Sequence, residues 1–113
     1  MRYVFLAYRD EAQWNALSTS ERDALENACQ ANEQDLRQSG HLLAVEGLYS
    51  SCAVLTVQAV NGEVSVAETQ GQFIRLFFIN ARDLNEAIQV ASRMPQARSG
   101  PIEVRPIVEL EQQ

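Results

Sequence analysis

His41 and Asp35 are the residues of this chain whose types best suit proton transfer. His41 is the only histidine, and an imidazole changes its charge near neutral pH, so it can act as a general acid or base. A catalytic base also needs a partner that orients it. Asp35 shares a helical stripe with alanines of the same predicted helix, so we expect its carboxylate to point toward a sheet and to line a pocket with His41. The alternative for both residues is structural, as groups that hydrogen-bond to the backbone or to water.

Glu46, Arg75 and Tyr3 are the candidate ligand-binding residues. Glu46 and Arg75 lie on predicted strands whose neighbouring side chains on the same face are apolar. Because buried charges are normally paired, a salt bridge within the chain or across a dimer is favoured over a ligand-binding pair. Tyr3 offers a hydroxyl group to a ligand, but a tyrosine on a strand more often completes the packing of a core.

The composition excludes several classes of function. The net charge of -6 and the pI near 4.7 disfavour nucleic acid and anionic membranes as partners, since both require a basic face. The chain has no lysine for a Schiff base. The spacing of Cys29 and Cys52 matches no zinc or dithiol motif, and no phosphate-binding loop or nucleotide motif is present. We therefore expect no metal and no cofactor.

The elements that must position these residues follow from local signals. Ser18 and Glu21 form a capping box at the start of a helix that Gly40 ends, and Asp83 begins a second helix that Pro95 ends. Asn61 and Gly62 form a hairpin turn. The predicted strands are Tyr3–Tyr8, Leu42–Tyr49, Ala53–Val60, Glu63–Val66, Phe73–Ile79 and Ile102–Val108, and the predicted helices span about 19–39 and 84–94.

This order predicts one domain over residues 1–113 with a ferredoxin-like βαββαβ sandwich of the α+β class, elaborated by one hairpin. Two helices cover only one face of such a sheet. Apolar residues alternate on both faces of the strand 73–79, so the second face also needs a cover. We therefore expect a homodimer that forms through the sheet face. The apolar run at the N-terminus is too short for a signal peptide, and no segment is long enough to span a membrane, which predicts a cytoplasmic protein.

Several short motifs follow one another along nearly the whole chain. They are residues 2–14 (RYVFLAYRDEAQW), Glu46-Gly47-Leu48, Asn61-Gly62, Ala67-Glu68-Thr69, residues 83–95 (DLNEAIQVASRMP) and residues 102–106 (IEVRP). With them the chain resembles the YCII-related domain, in the branch called DGPF-domain proteins. The resemblance implies a dimeric α+β barrel, and it agrees with the fold predicted from the residues.

The chain also departs from that family pattern. The Asp-Gly-Pro-Phe motif that names the branch should precede Ala67, but the sequence there is Glu-Val-Ser-Val. A related branch carries a histidine and an aspartate in its first helix as a suspected acid–base pair, and Ala28 and Gln38 stand at about those positions here. That catalytic pair therefore does not carry over.

Three functions remain open from the sequence. The preferred one is binding of a small organic molecule without catalysis. The second is a cofactor-independent acid–base enzyme, similar to a lyase or dehydrochlorinase, that acts on a small aromatic or carboxylic substrate. The third is a regulatory or interaction module, because the resemblance implies an association with extracytoplasmic-function sigma factors.

Overall fold

The computed structural model describes residues 1–48, 53–70 and 74–109. Its strands are β1 (Arg2–Tyr8), β2 (Leu42–Gly47), β3 (Ala53–Val60), β4 (Glu63–Gln70), β5 (Ile74–Asn80) and β6 (Ile102–Pro106). Its helices are α1 (Glu11–Ala16), α2 (Thr19–Gln38) and α3 (Leu84–Arg93), followed by a short 3-10 helix (Pro95–Arg98). The predicted elements are confirmed except at their ends: β4 is longer than predicted, β6 ends at Pro106, and Tyr49 and Phe73 lie outside the described residues.

The caps that the sequence predicts are present. The Ser18 side chain accepts a hydrogen bond from the Glu21 amide, and the Glu21 carboxylate accepts one from the Ser18 amide. These two bonds satisfy backbone donors that a helix start would otherwise leave without partners. Gly40, with a φ of 83°, follows the end of α2 in the left-handed conformation that glycine adopts at low cost.

Four antiparallel strands form the main sheet in the order β2-β5-β1-β6. This order and the two long helices make the chain an α+β protein, and they are compatible with a ferredoxin-like fold. The ladder between β2 and β5 contains a bulge: Leu42 pairs with Ile79, but the next pair is Ala44 with Phe78. The extra residue shifts the side chains after it to the opposite face, so Gly47 and not Glu46 lies opposite Arg75.

The core lies between the sheet and the helices α2 and α3. Its largest fully buried side chains are Tyr3, Phe5, Phe77, Ile79 and Met94. The pairs Tyr3–Ile79 and Phe5–Phe77 are direct cross-strand neighbours on this face, and aliphatic residues of both helices pack against them. Burial of these large apolar side chains is the main favourable term in folding of the monomer.

Within the described residues, no helix lies on the opposite face of the sheet, because both long helices pack on the core side. We call it the open face. Its centre consists of Val4 and Leu6 of β1 with Leu76 and Phe78 of β5, all of which are partly buried by their strand neighbours. The apolar second face that the sequence predicts is therefore present in the structure.

Strands β3 and β4 form a separate two-stranded hairpin, which we call the arm (residues 53–70). It is the hairpin elaboration that the sequence predicts. Asn61 and Gly62, with φ of 52° and 82°, form the turn at its tip. The arm residues whose burial is described, 54–68, are all exposed, so this part of the arm extends away from the core.

Candidate functional site

Arg75 lies on the core side of β5, where the sequence leaves space for it. Its direct neighbours across the two ladders are Ala7 on β1 and Gly47 on β2, and both have very small side chains. A Cβ atom added at Gly47 would lie 3.8 Å from Arg75 Nη1. The guanidinium group therefore occupies space that larger neighbours on the strands would fill.

Arg75 is paired with Glu33 of α2. Arg75 Nη2 donates a hydrogen bond to Glu33 Oε1 at 3.1 Å, and the two side chains are 37% and 16% exposed. A charge-assisted contact at this depth links the helix to the sheet. The salt bridge that the sequence favours for Arg75 is thus present within the chain, but its partner is Glu33.

A cavity of about 200 Å³ opens beside this ion pair, between α2 and the sheet. Its lining residues are Ala7, Tyr8, Arg9, Glu26, Cys29, Gln30, Glu33, Arg75 and Gln96. Among the described residues, three buried side-chain atoms have no hydrogen-bond partner, and two of them, Arg75 Nε and Gln96 Oε1, belong to this lining; the third is Asn32 Oδ1. A buried donor or acceptor without a partner costs about 1–3 kcal/mol, so these two atoms mark where a ligand would gain most.

Cys29 contributes a thiol to the same cavity. Burial, and then the nearby Glu33 carboxylate, raise the pKa of the Cys29 thiol above its ordinary value. The thiolate is the nucleophilic form of cysteine, so the raised pKa makes Cys29 a poorer nucleophile than an ordinary cysteine. The second cysteine of the chain, Cys52, lies outside the described residues.

His41 belongs to a second cluster, between the end of α2 and the start of α3. The Ser39 hydroxyl donates to the Leu36 carbonyl oxygen at 3.1 Å and lies 2.8 Å from His41 Nδ1, while His41 Nε2 lies 3.3 Å from Glu86 Oε1. Although a serine, a histidine and a glutamate are aligned, the Ser39 hydroxyl is within hydrogen-bond reach of a backbone carbonyl that competes for its proton. A nucleophilic serine would have to donate that proton to the imidazole, so this cluster fits a structural connection better than a catalytic one.

Glu86 is the centre of that connection. Hydrogen bonds from the Arg82 amide (3.1 Å) and the Arg82 side chain (2.6 Å) hold the pKa of the Glu86 carboxyl below its ordinary value, and the contact with His41 acts in the same direction. The carboxylate therefore already has partners of its own. Its lowered pKa makes it a weaker base, which disfavours a role as a general base.

The predicted site residues do not converge on one site. Asp35 is exposed, and it does not line the small surface pocket beside His41. Glu46 is exposed on the open face, opposite Leu76. Tyr3 is buried in the core, and its hydroxyl contacts Met1 Sδ at 3.7 Å. Of the predicted residues, only Arg75 lines the cavity.

The sequence predicts that Asp35 faces the sheet, whereas the structure places Glu33 there. The cause is the phase of the buried stripe of α2. The residues of α2 that are partly buried are Arg22, Leu25, Ala28, Cys29, Asn32, Glu33 and Leu36. Two of the three alanines that share a stripe with Asp35 are exposed, so the stripe that the sequence suggested faces solvent. The i,i+4 spacing of Leu25, Cys29 and Glu33 was the signal that could have placed Glu33 toward the sheet.

The antiparallel sheet with its helices on one face defines the class of protein, and a comparison of the sequence with family models identifies the family. The model of the YCII-related domain matches residues 1–111. The chain therefore belongs to the YCII-related domain family. A comparison with curated proteins gave no match.

Two further properties bear on function. In the ranges 1–48, 53–70 and 74–109, no three or more histidine, cysteine, aspartate or glutamate side chains are grouped so that they could hold a metal ion. None of the helices in those ranges is long and apolar enough to cross a membrane.

Proposed function

We propose that the protein binds a small organic molecule in the cavity beside Arg75 and does not transform it. The ligand carries an oxygen acceptor next to a hydroxyl donor, as a small hydroxy acid does. The cavity of about 200 Å³ is below the roughly 300–1,000 Å³ of pockets that hold drug-sized ligands, which favours a molecule of a few carbon atoms.

The observation that carries this proposal is the pair of buried atoms without partners. Arg75 Nε is a donor and Gln96 Oε1 is an acceptor, and both are buried in the cavity wall, so a turn of these side chains toward the cavity would let them bind a ligand with one acceptor and one donor. Arg9 adds a second positive charge to the lining, and its guanidinium stacks on Trp14 at 3.9 Å from the ring centroid. The two arginines favour a carboxylate as the acceptor, in competition with the carboxylates Glu26 and Glu33 of the same lining.

The geometry favours binding over acid–base catalysis. A catalytic pair needs its members within hydrogen-bond reach of one another and of the substrate. Asp35 and His41 are apart, and neither lines the cavity. Cys29, which does line it, has a thiol whose pKa is raised by burial.

We also propose that the protein is a cytoplasmic homodimer, a divergent member of the DGPF branch whose subunits associate through the open face into the α+β barrel that the resemblance implies. Support comes from the apolar centre of that face, Val4, Leu6, Leu76 and Phe78. The free thiol of Cys29 is in keeping with a reducing compartment.

Isothermal titration calorimetry with lactate and glycolate, each compared with its amide, tests the binding proposal. We expect at least one acid to bind more tightly than its amide, and Arg75→Met to abolish this preference. Arg93→Met removes the same charge from an exposed position near the end of α3, so it should leave binding unchanged.

Glu33→Gln supplies a second test at the same cavity. It removes the carboxylate that competes for Arg75, so acid binding should become tighter. Thermal unfolding of each variant controls for loss of fold. If a folded Arg75→Met chain binds the acids as well as the unaltered chain, or if no acid or amide in the panel binds, the proposal is wrong.

A further inference from the structure

The cavity beside Arg75 has charges of both signs in its wall. The charged residues of its described lining are Arg9, Arg75, Glu26 and Glu33. Their two positive and two negative formal charges cancel. Burial raises the pKa of the Cys29 thiol, and all four charges also act on it, the two carboxylates raising it and the two guanidinium groups lowering it. The four groups therefore surround one point of the cavity, where a ligand meets both signs of charge.

A ligand with a net negative charge gains little from such a lining. The attraction between the two arginines and a carboxylate is offset by the repulsion from the two glutamates. The chain as a whole carries a net charge of -6, which disfavours the approach of anions. A zwitterion has no net charge, so neither effect opposes its binding.

The ion pair of Arg75 and Glu33 decides which donor suits the ligand best. Arg75 Nη2 and Glu33 Oε1 are 3.1 Å apart, so a ligand carboxylate that contacts Arg75 also comes close to Glu33. The two carboxylates then repel each other. A hydroxyl group on the ligand is neutral and does not offset this repulsion, whereas an ammonium group supplies a positive charge and forms a stronger hydrogen bond to Glu33.

An α-amino acid has the geometry to contact both members of the ion pair. Its ammonium nitrogen and its carboxyl carbon are bonded to the same carbon atom and lie about 2.5 Å apart. The ligand can therefore lie alongside the pair in the opposite direction, so that the contact between Arg75 and Glu33 need not break. Gln96 Oε1, which has no partner among the described residues, can accept a second ammonium hydrogen once its side chain turns toward the cavity.

We propose that the cavity prefers a small α-amino acid to the hydroxy acid of the same carbon skeleton, with Arg75 as the partner of the carboxylate and Glu33 as the partner of the ammonium group. This inference rests on the binding function proposed above and adds the charge of the ligand's donor. The cavity of about 200 Å³ limits the ligand to a few carbon atoms. Free glycine and free alanine are therefore suitable probes.

Isothermal titration calorimetry can compare ligands that differ only in their donor group. The pairs are L-alanine with L-lactate, and glycine with glycolate, at neutral pH. We expect each amino acid to bind about tenfold more tightly than its hydroxy acid, because a hydrogen bond between charged groups is stronger than one with a neutral donor. Alaninamide keeps the ammonium group but lacks the carboxylate, so it should bind more weakly than alanine. These comparisons use the unaltered chain, so they do not depend on the folding of a variant.

Glu33→Gln should change the two classes of ligand differently. It removes the partner of the ammonium group, and it also removes the carboxylate that competes with lactate for Arg75. The preference for alanine over lactate should therefore fall by about tenfold. Asp35→Asn removes the same charge from an exposed position of α2 outside the lining of this cavity, so it should leave the preference within about twofold. Thermal unfolding verifies that both variants are folded.

The outcomes separate this inference from the binding proposal. If lactate or glycolate binds and its amino acid binds no more tightly, the inference is wrong and the binding proposal stands. If alanine binds and lactate does not, the hydroxy acid is the wrong ligand and the inference stands. If a folded Glu33→Gln chain keeps the full preference for alanine, Glu33 does not hold the ammonium group and the inference is wrong. If no ligand binds, both are wrong.

Discussion

The ion pair between Glu33 and Arg75 should contribute measurably to stability, and a double-mutant cycle of Glu33→Gln, Arg75→Met and the double variant measures it. At 3.1 Å the Coulomb energy of two unit charges is about 1.3 kcal/mol in bulk water and about 5 kcal/mol at an effective dielectric constant near 20. The partial exposure of the pair, 37% and 16%, allows water to screen it. We expect a coupling free energy of about 1–2 kcal/mol, above the 0–1 kcal/mol of exposed pairs and below the 3–5 kcal/mol cost of breaking a fully buried pair.

The chain provides a matched control for that cycle. Arg2 Nε and Glu109 Oε1 are also 3.1 Å apart, but their side chains are 51% and 55% exposed. Urea unfolding of both sets of variants gives the free energies of unfolding by linear extrapolation, and the exposed pair should couple more weakly than Glu33 and Arg75. In 1 M salt the coupling of the exposed pair should fall further than that of Glu33 and Arg75. Equal coupling energies in the two cycles would refute the assignment of Glu33 and Arg75 as a partly buried pair.

Two further predictions concern the core and the second cluster. Phe77 is 0% exposed, so Phe77→Ala should lower the free energy of unfolding by about 3–5 kcal/mol, measured by the same urea titration; a loss below about 1 kcal/mol would contradict its place in the core. The Glu86 carboxyl has its pKa lowered in the folded state by Arg82, so its contribution is complete above the pKa of the unfolded chain and is lost as the pH falls through the folded pKa. Below about pH 4.3, the midpoint temperature of thermal unfolding should therefore fall less steeply with decreasing pH for Glu86→Gln than for the unaltered chain. Parallel curves would show that the folded protein does not stabilise the carboxylate.

The order of helices and strands was predictable because each boundary has a local cause. The capping box at Ser18, the glycine at position 40 and the Asn61-Gly62 turn act within a few residues, and all are present. The YCII-related family was recognisable for the same reason, since its motifs surround these boundaries. Local signals of this kind need no knowledge of tertiary contacts.

The site was much less predictable, because it depends on which side chains of α2 and of β2 face the core. A shift of the buried stripe of α2 put Glu33, not Asp35, against the sheet. Strict alternation along β2 from Leu42 would have put Glu46 opposite Arg75, as a salt-bridge partner within the chain. The bulge breaks this alternation, and a single extra residue leaves no clear mark in composition or hydropathy.

That extra residue makes the length of β2 a determinant of what the cavity contains. A YCII-related chain with one residue more between positions 44 and 46, and no second bulge, would turn Glu46 inward to face Arg75, and the space that Gly47 leaves open would be filled by a carboxylate. Such an insertion would give Arg75 a second acidic neighbour beside Glu33. If the cavity binds acids as we propose, insertions in this strand are therefore expected to weaken that binding even where the cavity residues themselves are identical.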